Sequence, residues 1–200
     1  MTRKLPFVLP LLLAAAPLAF AGPLAIGSAI PSADVKMKNV DGKELSLSDL
    51  KGASGTLVVF TCNHCPFAKG WESRIVDLGN TYQAKGIGVV AVNANDPEVA
   101  AEDGYDGMVA RAKEKGFAFP YVVDATSGVA KAFGATRTPE VFLFDKTGKL
   151  VYHGAVDDNM QDVAKVQNTY LKDALDAVTG GKPVPVAETK SIGCSIKFRS

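Results

Sequence analysis

Two cysteines separated by two residues constrain the fold of this chain more than any other feature. Cys62 and Cys65 follow the apolar run 56–60 and open a helical pattern that reaches about residue 85. The start of a helix exposes unpaired backbone N–H groups and a partial positive charge. Both stabilise a thiolate, the reactive form of cysteine. The spacing lets the sulfurs close a disulfide across the first helical turn, so the sequence predicts a redox pair with Cys62 exposed at the helix tip and Cys65 beneath it.

Two other uses of a Cys-x-x-Cys pair fit the sequence less well. A structural zinc site usually needs a second pair of ligands at similar spacing, and the chain has no second Cys-x-x-Cys. Haem attachment needs a histidine directly after the second cysteine, but that position holds Pro66, and His64 precedes Cys65. A redox pair is therefore the favoured interpretation.

The first 21 residues have the pattern of a secretory signal peptide. Arg3 and Lys4 form a short positive segment, the apolar run 5–20 follows, and the Ala-Phe-Ala sequence at 19–21 is typical of a cleavage site. The apolar run is short for a membrane-spanning helix, and its two prolines weaken it further. We expect cleavage after Ala21 and delivery to the periplasm, with no membrane span in the mature chain.

Length and charge indicate one domain without a nucleic-acid partner. The remaining chain suits a single domain, which we expect at 22–180, with an N-terminal extension at 22–55 and a C-terminal tail at 181–200. The whole chain has 22 basic and 21 acidic residues and no basic stripe. Nucleic-acid binding needs such a stripe, so that class is excluded.

The order of predicted elements indicates an α/β fold. Residues 35–40 and 43–47 form a hairpin around the Asp41-Gly42 turn. The run 57–60, the helix after the cysteines and the run 87–92 form a strand–helix–strand unit with parallel strands. Trp71 lies on the apolar stripe of that helix and is predicted to be part of the core.

The second half of the chain adds helices and another hairpin. Helices are predicted at 105–115, ended by Gly116, and at 127–133, with a short strand between them. A hairpin follows over 140–153, and then a final helix that begins near Val166. The predicted architecture is a central mixed sheet flanked by helices.

The cysteine segment and two later segments together resemble a known family. They are Val58-Val59-Phe60-Thr61-Cys62-Asn63-His64-Cys65-Pro66, Thr138-Pro139, and Phe142-Leu143-Phe144-Asp145-Lys146-Thr147-Gly148-Lys149. Over about residues 30–180 the chain resembles the thioredoxin-like superfamily. Within it, the chain is similar to the peroxiredoxin-like branch (AhpC/TSA, redoxin), which includes periplasmic ResA/TlpA-type thiol–disulfide oxidoreductases. The resemblance implies a thioredoxin-like fold with an N-terminal β-hairpin extension.

The resemblance also implies roles for residues beside the cysteines. In such families the proline before the late hairpin is usually cis and faces the disulfide. By that resemblance Thr138-Pro139 is expected to be cis, with the Thr138 backbone pairing with an incoming peptide. Thr61 stands where thioredoxins usually carry tryptophan, and His64 before the second cysteine resembles oxidising members. A nearby imidazolium stabilises the thiolate and hence the reduced protein, so His64 is expected to tune the redox potential.

Three alternative functions fit the sequence less well than a thiol–disulfide oxidoreductase. Peroxiredoxins carry a Pro-x-x-x-Thr-x-x-Cys pattern, but counting back from Cys62 finds Val59 and Gly55. Copper delivery would use Cys62, Cys65 and either His64 or His153, although thioredoxin-fold copper carriers usually separate their cysteines by three residues. A catalytically idle binding module is disfavoured by the intact cysteine pair.

The sequence therefore predicts a periplasmic thiol–disulfide oxidoreductase. Cys62 forms a mixed disulfide with a protein partner, and Cys65 resolves it. No organic cofactor and no metal are implied. The expected partners are a thiol- or disulfide-containing protein substrate and a second protein that restores the redox state of the pair.

Cys194 is left over after the pair is formed. It lies on a tail whose prolines at 183 and 185 favour an extended conformation. An unpaired thiol in an oxidising compartment must be shielded or used. The two roles left open are a shielded thiol and a third redox cysteine, for which Gly193 would allow the close backbone approach. We favour the shielded role because Cys62 and Cys65 already complete a two-electron couple.

Overall fold

The computed structural model describes residue 22 and residues 24–199. The predicted signal peptide, residues 1–21, lies outside the described residues. Within the described part of the chain, no helix is long and apolar enough to cross a membrane. The strands are β1 Met37–Asn39, β2 Glu44–Leu45, β3 Gly55–Phe60, β4 Ile87–Asn93, β5 Tyr121–Val123, β6 Arg137–Thr138, β7 Glu140–Asp145, β8 Leu150–Gly154 and β9 Cys194–Ser195, and the helices are α1 Pro66–Gln83, α2 Tyr105–Lys115, α3 Gly128–Phe133 and α4 Tyr170–Thr179.

Seven strands form one mixed sheet in the order β2-β1-β5-β4-β3-β7-β8. The central strands β3, β4 and β5 are parallel, β7 pairs antiparallel with β3, and β8 pairs antiparallel with β7 at the edge of the sheet. The N-terminal hairpin of β1 and β2 joins the other edge through β5. The predicted α/β architecture, a mixed sheet flanked by helices with an N-terminal hairpin, is confirmed.

Strand β3 is buried on both faces because helices cover both sides of the sheet. Leu57 and Val59 pack in one core with α1, α2 and α4, whereas Val58 and Phe60 pack in the opposite core with α3. Trp71 lies in the first core, as predicted. The two cores hold the end of β3, and therefore the cysteine segment that follows it, in a fixed position.

Helix α1 begins immediately after Cys65, which is its N-cap residue, with Pro66 in the first turn. Proline suits this position because its fixed φ is helical and the first N–H groups have no partner within the helix. Helix α2 ends at Gly116, whose φ of 70° is the left-handed conformation that terminates many helices.

The final helix begins later than predicted, at Tyr170 rather than near Val166. Residues 163–165 form a short 3-10 helix capped by Asp162. The backbone N–H groups of Gln167 and Asn168 then donate to the carboxylate of Asp158. Because these donors are satisfied by an upstream side chain, the segment before Tyr170 stays a loop.

Candidate active site

The two cysteines lie together at the N-terminus of α1, packed around Ala68. Both are buried: Cys62 is 2% exposed and Cys65 is fully covered. The prediction that Cys62 is exposed at the helix tip is therefore wrong. Cys62 Sγ lies 3.2 Å from Thr138 Oγ1, and Cys194 packs against the same cluster. These later parts of the chain cover the helix tip.

Thr138 and Pro139 lie beside the two sulfurs, and the peptide bond between them is cis, as expected from the resemblance. The Thr138 hydroxyl contacts Cys62, and the Thr138 carbonyl oxygen lies 3.3 Å from Cys65 Sγ. The structure therefore brings four of the predicted site residues, Cys62, Cys65, Thr138 and Pro139, into one group.

The two thiols have opposite pKa shifts because they share a proton. A hydrogen bond from Cys62 lowers the pKa of Cys65 well below its ordinary value, and donors on Cys194 and the Ala68 N–H act in the same direction. The pKa of Cys62 is raised well above its ordinary value by that same hydrogen bond, then by burial and by the negative charge of Asp103. The charge of the reduced pair therefore resides on Cys65, the N-cap sulfur.

Asp103 is a site residue that the sequence analysis missed. Asn95 Nδ2 donates to Oδ2 of its buried carboxylate at 2.8 Å, and Oδ1 accepts hydrogen bonds from the backbone N–H groups of Asn63 and His64, at 2.6 and 3.3 Å. His64 Nδ1 lies 2.6 Å from its other oxygen. Its position in the sequence could have indicated this role, because Asp103 follows β4, the parallel strand next to β3. Ligand sites of α/β sheets lie at the carboxyl ends of such strands.

His64 contacts this carboxylate, and its side chain is 25% exposed. The prediction placed an imidazolium beside a thiolate with nothing to offset its charge. In the structure the Asp103 carboxylate lies 2.6 Å from His64 Nδ1 and within 4.8 Å of Cys62 Sγ, so its negative charge acts on both groups. We therefore expect His64 and Asp103 to tune the sulfurs as a pair.

A second buried acid–base pair supports the loop before Pro139. Glu140 Oε2 accepts hydrogen bonds from the backbone N–H groups of Thr136 and Arg137, at 2.8 and 2.9 Å. Its other oxygen, Oε1, lies 2.7 Å from His153 Nε2. His153 also stacks on Phe142 at 4.4 Å between ring centroids. The role of His153 in the structure is thus to hold Glu140, which holds the loop that carries Thr138.

Among the residues that the structure describes, Cys62, His64 and Asp103 have metal-ligating atoms within 4.8 Å of one another. This set shares Cys62 and His64 with the copper site considered from the sequence, but it adds Asp103 and contains neither Cys65 nor His153. The carboxylate of Asp103 already accepts several hydrogen bonds. A metal would have to displace the His64 contact, so the geometry suits a hydrogen-bonded site better than a metal site.

The sequence of the chain matches a known family over most of this fold. A sequence model described as the AhpC/TSA family matches residues 26–153. The chain belongs to the AhpC/TSA family. The branch predicted from the cysteine segment and the two later segments is therefore confirmed.

Individual relatives agree with this assignment. The thiol–disulfide oxidoreductase ResA of Geobacillus thermodenitrificans is 30% identical over 127 residues, which cover 64% of this chain and 67% of that protein. The crystal structure of an uncharacterized conserved protein from Geobacillus kaustophilus is 41% identical, has a TM-score of 0.82, and covers 88% of this chain and 93% of that chain. A thioredoxin-like protein in the oxidised form, 21% identical, has a TM-score of 0.59 over 78% of this chain and 97% of that chain. The last similarity confirms the thioredoxin-like fold.

Proposed function

We propose that Cys62 and Cys65 are the redox couple with which this thiol–disulfide oxidoreductase exchanges disulfides with protein thiols. The relatives support the activity, since ResA of Geobacillus thermodenitrificans is named as a thiol–disulfide oxidoreductase. The observation that supports these two residues is their placement: the two sulfurs pack together at the N-terminus of α1 and contact Thr138.

Because their pKa values differ, the two cysteines have different roles in the exchange. When the pair is oxidised, a substrate thiolate attacks Cys62 Sγ, a mixed disulfide forms, and Cys65 leaves as a thiolate. A second thiol of the substrate then attacks the mixed disulfide, which releases Cys62 as a thiolate and carries the disulfide to the substrate. Each step makes one S–S bond and breaks one. Because a sulfur of low pKa leaves faster, the lowered pKa of Cys65 favours attack at Cys62.

The same pKa shift favours donation of disulfides over their reduction. A stabilised thiolate on Cys65 lowers the free energy of the reduced protein relative to the disulfide form. The couple then has a higher reduction potential and is a stronger oxidant. The protein substrate in this scheme is one that contains two free cysteines.

Trapping with cysteine variants tests this assignment. Cys65→Ser removes the sulfur that can attack the mixed disulfide from within the protein, so mixed disulfides should accumulate on Cys62. Cys62→Ser is the matched control and should trap few partners. Both variants are made with Cys194→Ser, so that Cys194 neither traps partners nor resolves them. Equal trapping by the two variants, or stronger trapping by Cys62→Ser, would contradict the division of roles.

We also propose that the mature chain begins at Gly22 and acts in the periplasm. The positive segment, the apolar run and the small residues at 19–21 support this location. Expression of the full chain in a Gram-negative host, followed by N-terminal sequencing of the protein in the periplasmic fraction, tests it. Retention of residues 1–21 on the protein would refute cleavage at this site.

A further inference from the structure

The C-terminal segment, which we define as residues 187–199, returns across the sheet edge to the cysteine pair. His153 N–H donates to Ala187 O at 2.9 Å, and Thr189 N–H donates to His153 O at 3.0 Å. The segment then forms β9, which pairs antiparallel with β6 so that Cys194 lies opposite Thr138. It therefore occupies the backbone edge beside Pro139, where an incoming peptide was expected to pair.

Contacts beyond β9 hold the segment at this edge. Ile196 is 6% exposed and packs in the core that contains α3. Lys197 N–H donates to Asn95 Oδ1 at 2.7 Å, and Arg199 N–H donates to Ser127 Oγ at 2.9 Å. Because anchors lie on both sides of Cys194, this cysteine has a defined position relative to the pair.

Gly193 permits the close approach that brings Cys194 to the site. A Cβ atom at this position would lie 2.2 Å from the Thr138 carbonyl oxygen, which is closer than real Cβ contacts allow. The Gly193 carbonyl oxygen in turn accepts a hydrogen bond from Arg137 Nη1 at 3.0 Å. A larger residue would push β9 away from the backbone of Thr138.

The three cysteines lie in one cluster beside the start of α1. Cys194 packs against the cluster of Cys62, Cys65 and Ala68. Cys65 Sγ lies 3.3 Å from the Thr138 carbonyl oxygen, and Gly193 packs against that same carbonyl, so β9 brings Cys194 to the side of the pair where Cys65 lies. Thiol–disulfide exchange needs a third sulfur within reach of a disulfide, and Cys194 is held beside the pair.

We propose that Cys194 is a third exchange cysteine, which takes the disulfide from Cys62–Cys65 to form Cys65–Cys194. This inference rests on the proposed function, because it starts from the oxidised pair. The Cys194 thiolate attacks Cys65 Sγ, the Cys65–Cys194 bond forms, and the Cys62–Cys65 bond breaks. For an external thiol the leaving-group pKa favours attack at Cys62, but Cys194 is anchored beside the pair, so its position directs the attack to Cys65. Cys62 leaves as a thiolate and, because its pKa is raised, takes up the proton that Cys194 lost. No external oxidant is needed because the disulfide only changes position.

Oxidation of the pair itself prepares Cys194 for this step. In the reduced protein, burial and then the neighbouring Cys65 raise the pKa of Cys194, so Cys194 stays protonated. When Cys65 enters a disulfide it no longer carries a negative charge, and that part of the rise is removed. The exchange is thus favoured only once Cys62–Cys65 has formed.

Peptide mapping of the mature protein tests the proposal. Trypsin leaves Cys62 and Cys65 together on the fragment 52–69 and Cys194 on the fragment 191–197. The protein is equilibrated in a glutathione buffer, quenched with acid, alkylated and mapped without reduction. We expect a population in which the two fragments are linked and one cysteine of 52–69 is alkylated. Wild-type protein with a disulfide only inside fragment 52–69 would overturn the proposal.

Variants in which one cysteine of the pair is replaced identify the sulfur that Cys194 attacks. Cys62→Ser leaves Cys65 and Cys194 and should form the linked fragments readily, whereas Cys65→Ser, the matched control, should form them several-fold less. Preferential linkage in Cys65→Ser would overturn the assignment to Cys65. Gly193→Ala should reduce the linked population several-fold, while Ile192→Ala, a change at the exposed neighbouring residue, should leave it unchanged. Equal linkage in these two variants would also overturn the proposal.

A turnover assay separates this proposal from the proposed function. Wild-type protein is assayed for disulfide transfer to a reduced, two-cysteine protein substrate. Turnover without linkage to Cys194 overturns only the third-cysteine proposal. If the disulfide inside 52–69 does not form and no turnover is seen, the proposed function fails, and the exchange proposal fails with it.

Discussion

Replacement of Glu140 by glutamine should destabilise the protein by about 3 kcal/mol. The carboxylate makes three close polar contacts: it accepts from the backbone N–H groups of Thr136 and Arg137 and contacts His153 Nε2. Glu140 is 3% exposed and His153 is 6% exposed, so water cannot replace these partners without a rearrangement. Glutamine keeps the shape of the side chain and removes its charge.

The magnitude follows from the kind of hydrogen bond that is lost. The glutamine oxygen can still face the two backbone donors, and its amide group can donate to His153 Nε2. Each contact then changes from a hydrogen bond with an ionised group, worth roughly 1.5–3 kcal/mol, to a neutral one, worth roughly 0.5–1.5 kcal/mol. A loss of about 1 kcal/mol for each of the three contacts gives about 3 kcal/mol. For a domain of this size that corresponds to a fall in Tm of roughly 6–12 °C.

Urea unfolding of the mature protein measures this loss of stability. Glu98→Gln is the matched control, because Glu98 is an exposed glutamate outside the site and its loss should change stability by less than about 0.5 kcal/mol. A Glu140→Gln variant as stable as this control would show that the Glu140–His153 pair adds nothing to stability. In that case the support we assign to the loop before Pro139 would be refuted.

Three further predictions concern the chemistry of the site. Ultraviolet absorbance of the reduced protein should show a thiolate at neutral pH, and this absorbance should disappear only as the pH falls through the lowered pKa of Cys65. Cys65→Ser should remove the absorbance. An unchanged signal in that variant would refute the assignment of the thiolate to Cys65. Asp103→Asn removes a negative charge that lies within 4.8 Å of Cys62 Sγ and opposes a thiolate on the reduced cysteine pair. Equilibration with glutathione should therefore give a reduction potential higher by tens of millivolts, at roughly 30 mV for 1.4 kcal/mol, and an equal or lower potential would contradict this reasoning. Peroxide should be a poor substrate because the Pro-x-x-x-Thr-x-x-Cys pattern is missing, and rapid peroxide consumption abolished by Cys62→Ser would show the opposite.

Local sequence patterns were enough to predict the strands and the helix that position the cysteine pair. The run of apolar residues in β3, the helical stripe of α1 and the apolar run of β4 are contiguous segments, and their periodicity indicates a parallel strand–helix–strand unit. The position of the cysteine pair at the start of α1 follows from the same segments. The family resemblance added the cis bond before Pro139, which no local pattern in this sequence indicates.

The partners of the cysteines were decided by tertiary structure, since they come from distant parts of the chain. Asp103 reaches the site from the loop after β4, and the sequence shows only that this loop is polar. Glu140 and His153 look like ordinary strand residues until β7 and β8 pair and bring them together. Pairing across strands depends on register, which neither segment contains by itself.

The placement of Cys194 shows most clearly what the sequence determined and what the tertiary structure determined. The sequence by itself established that one cysteine is left over and that its tail is extended, because proline disfavours continued helix. Only the folded chain decided that this tail pairs with Thr138, covers Cys62 and brings a third sulfur to Cys65. The reason is physical: the contact depends on backbone hydrogen bonds between segments more than 50 residues apart, and on the missing side chain of Gly193 against the Thr138 carbonyl.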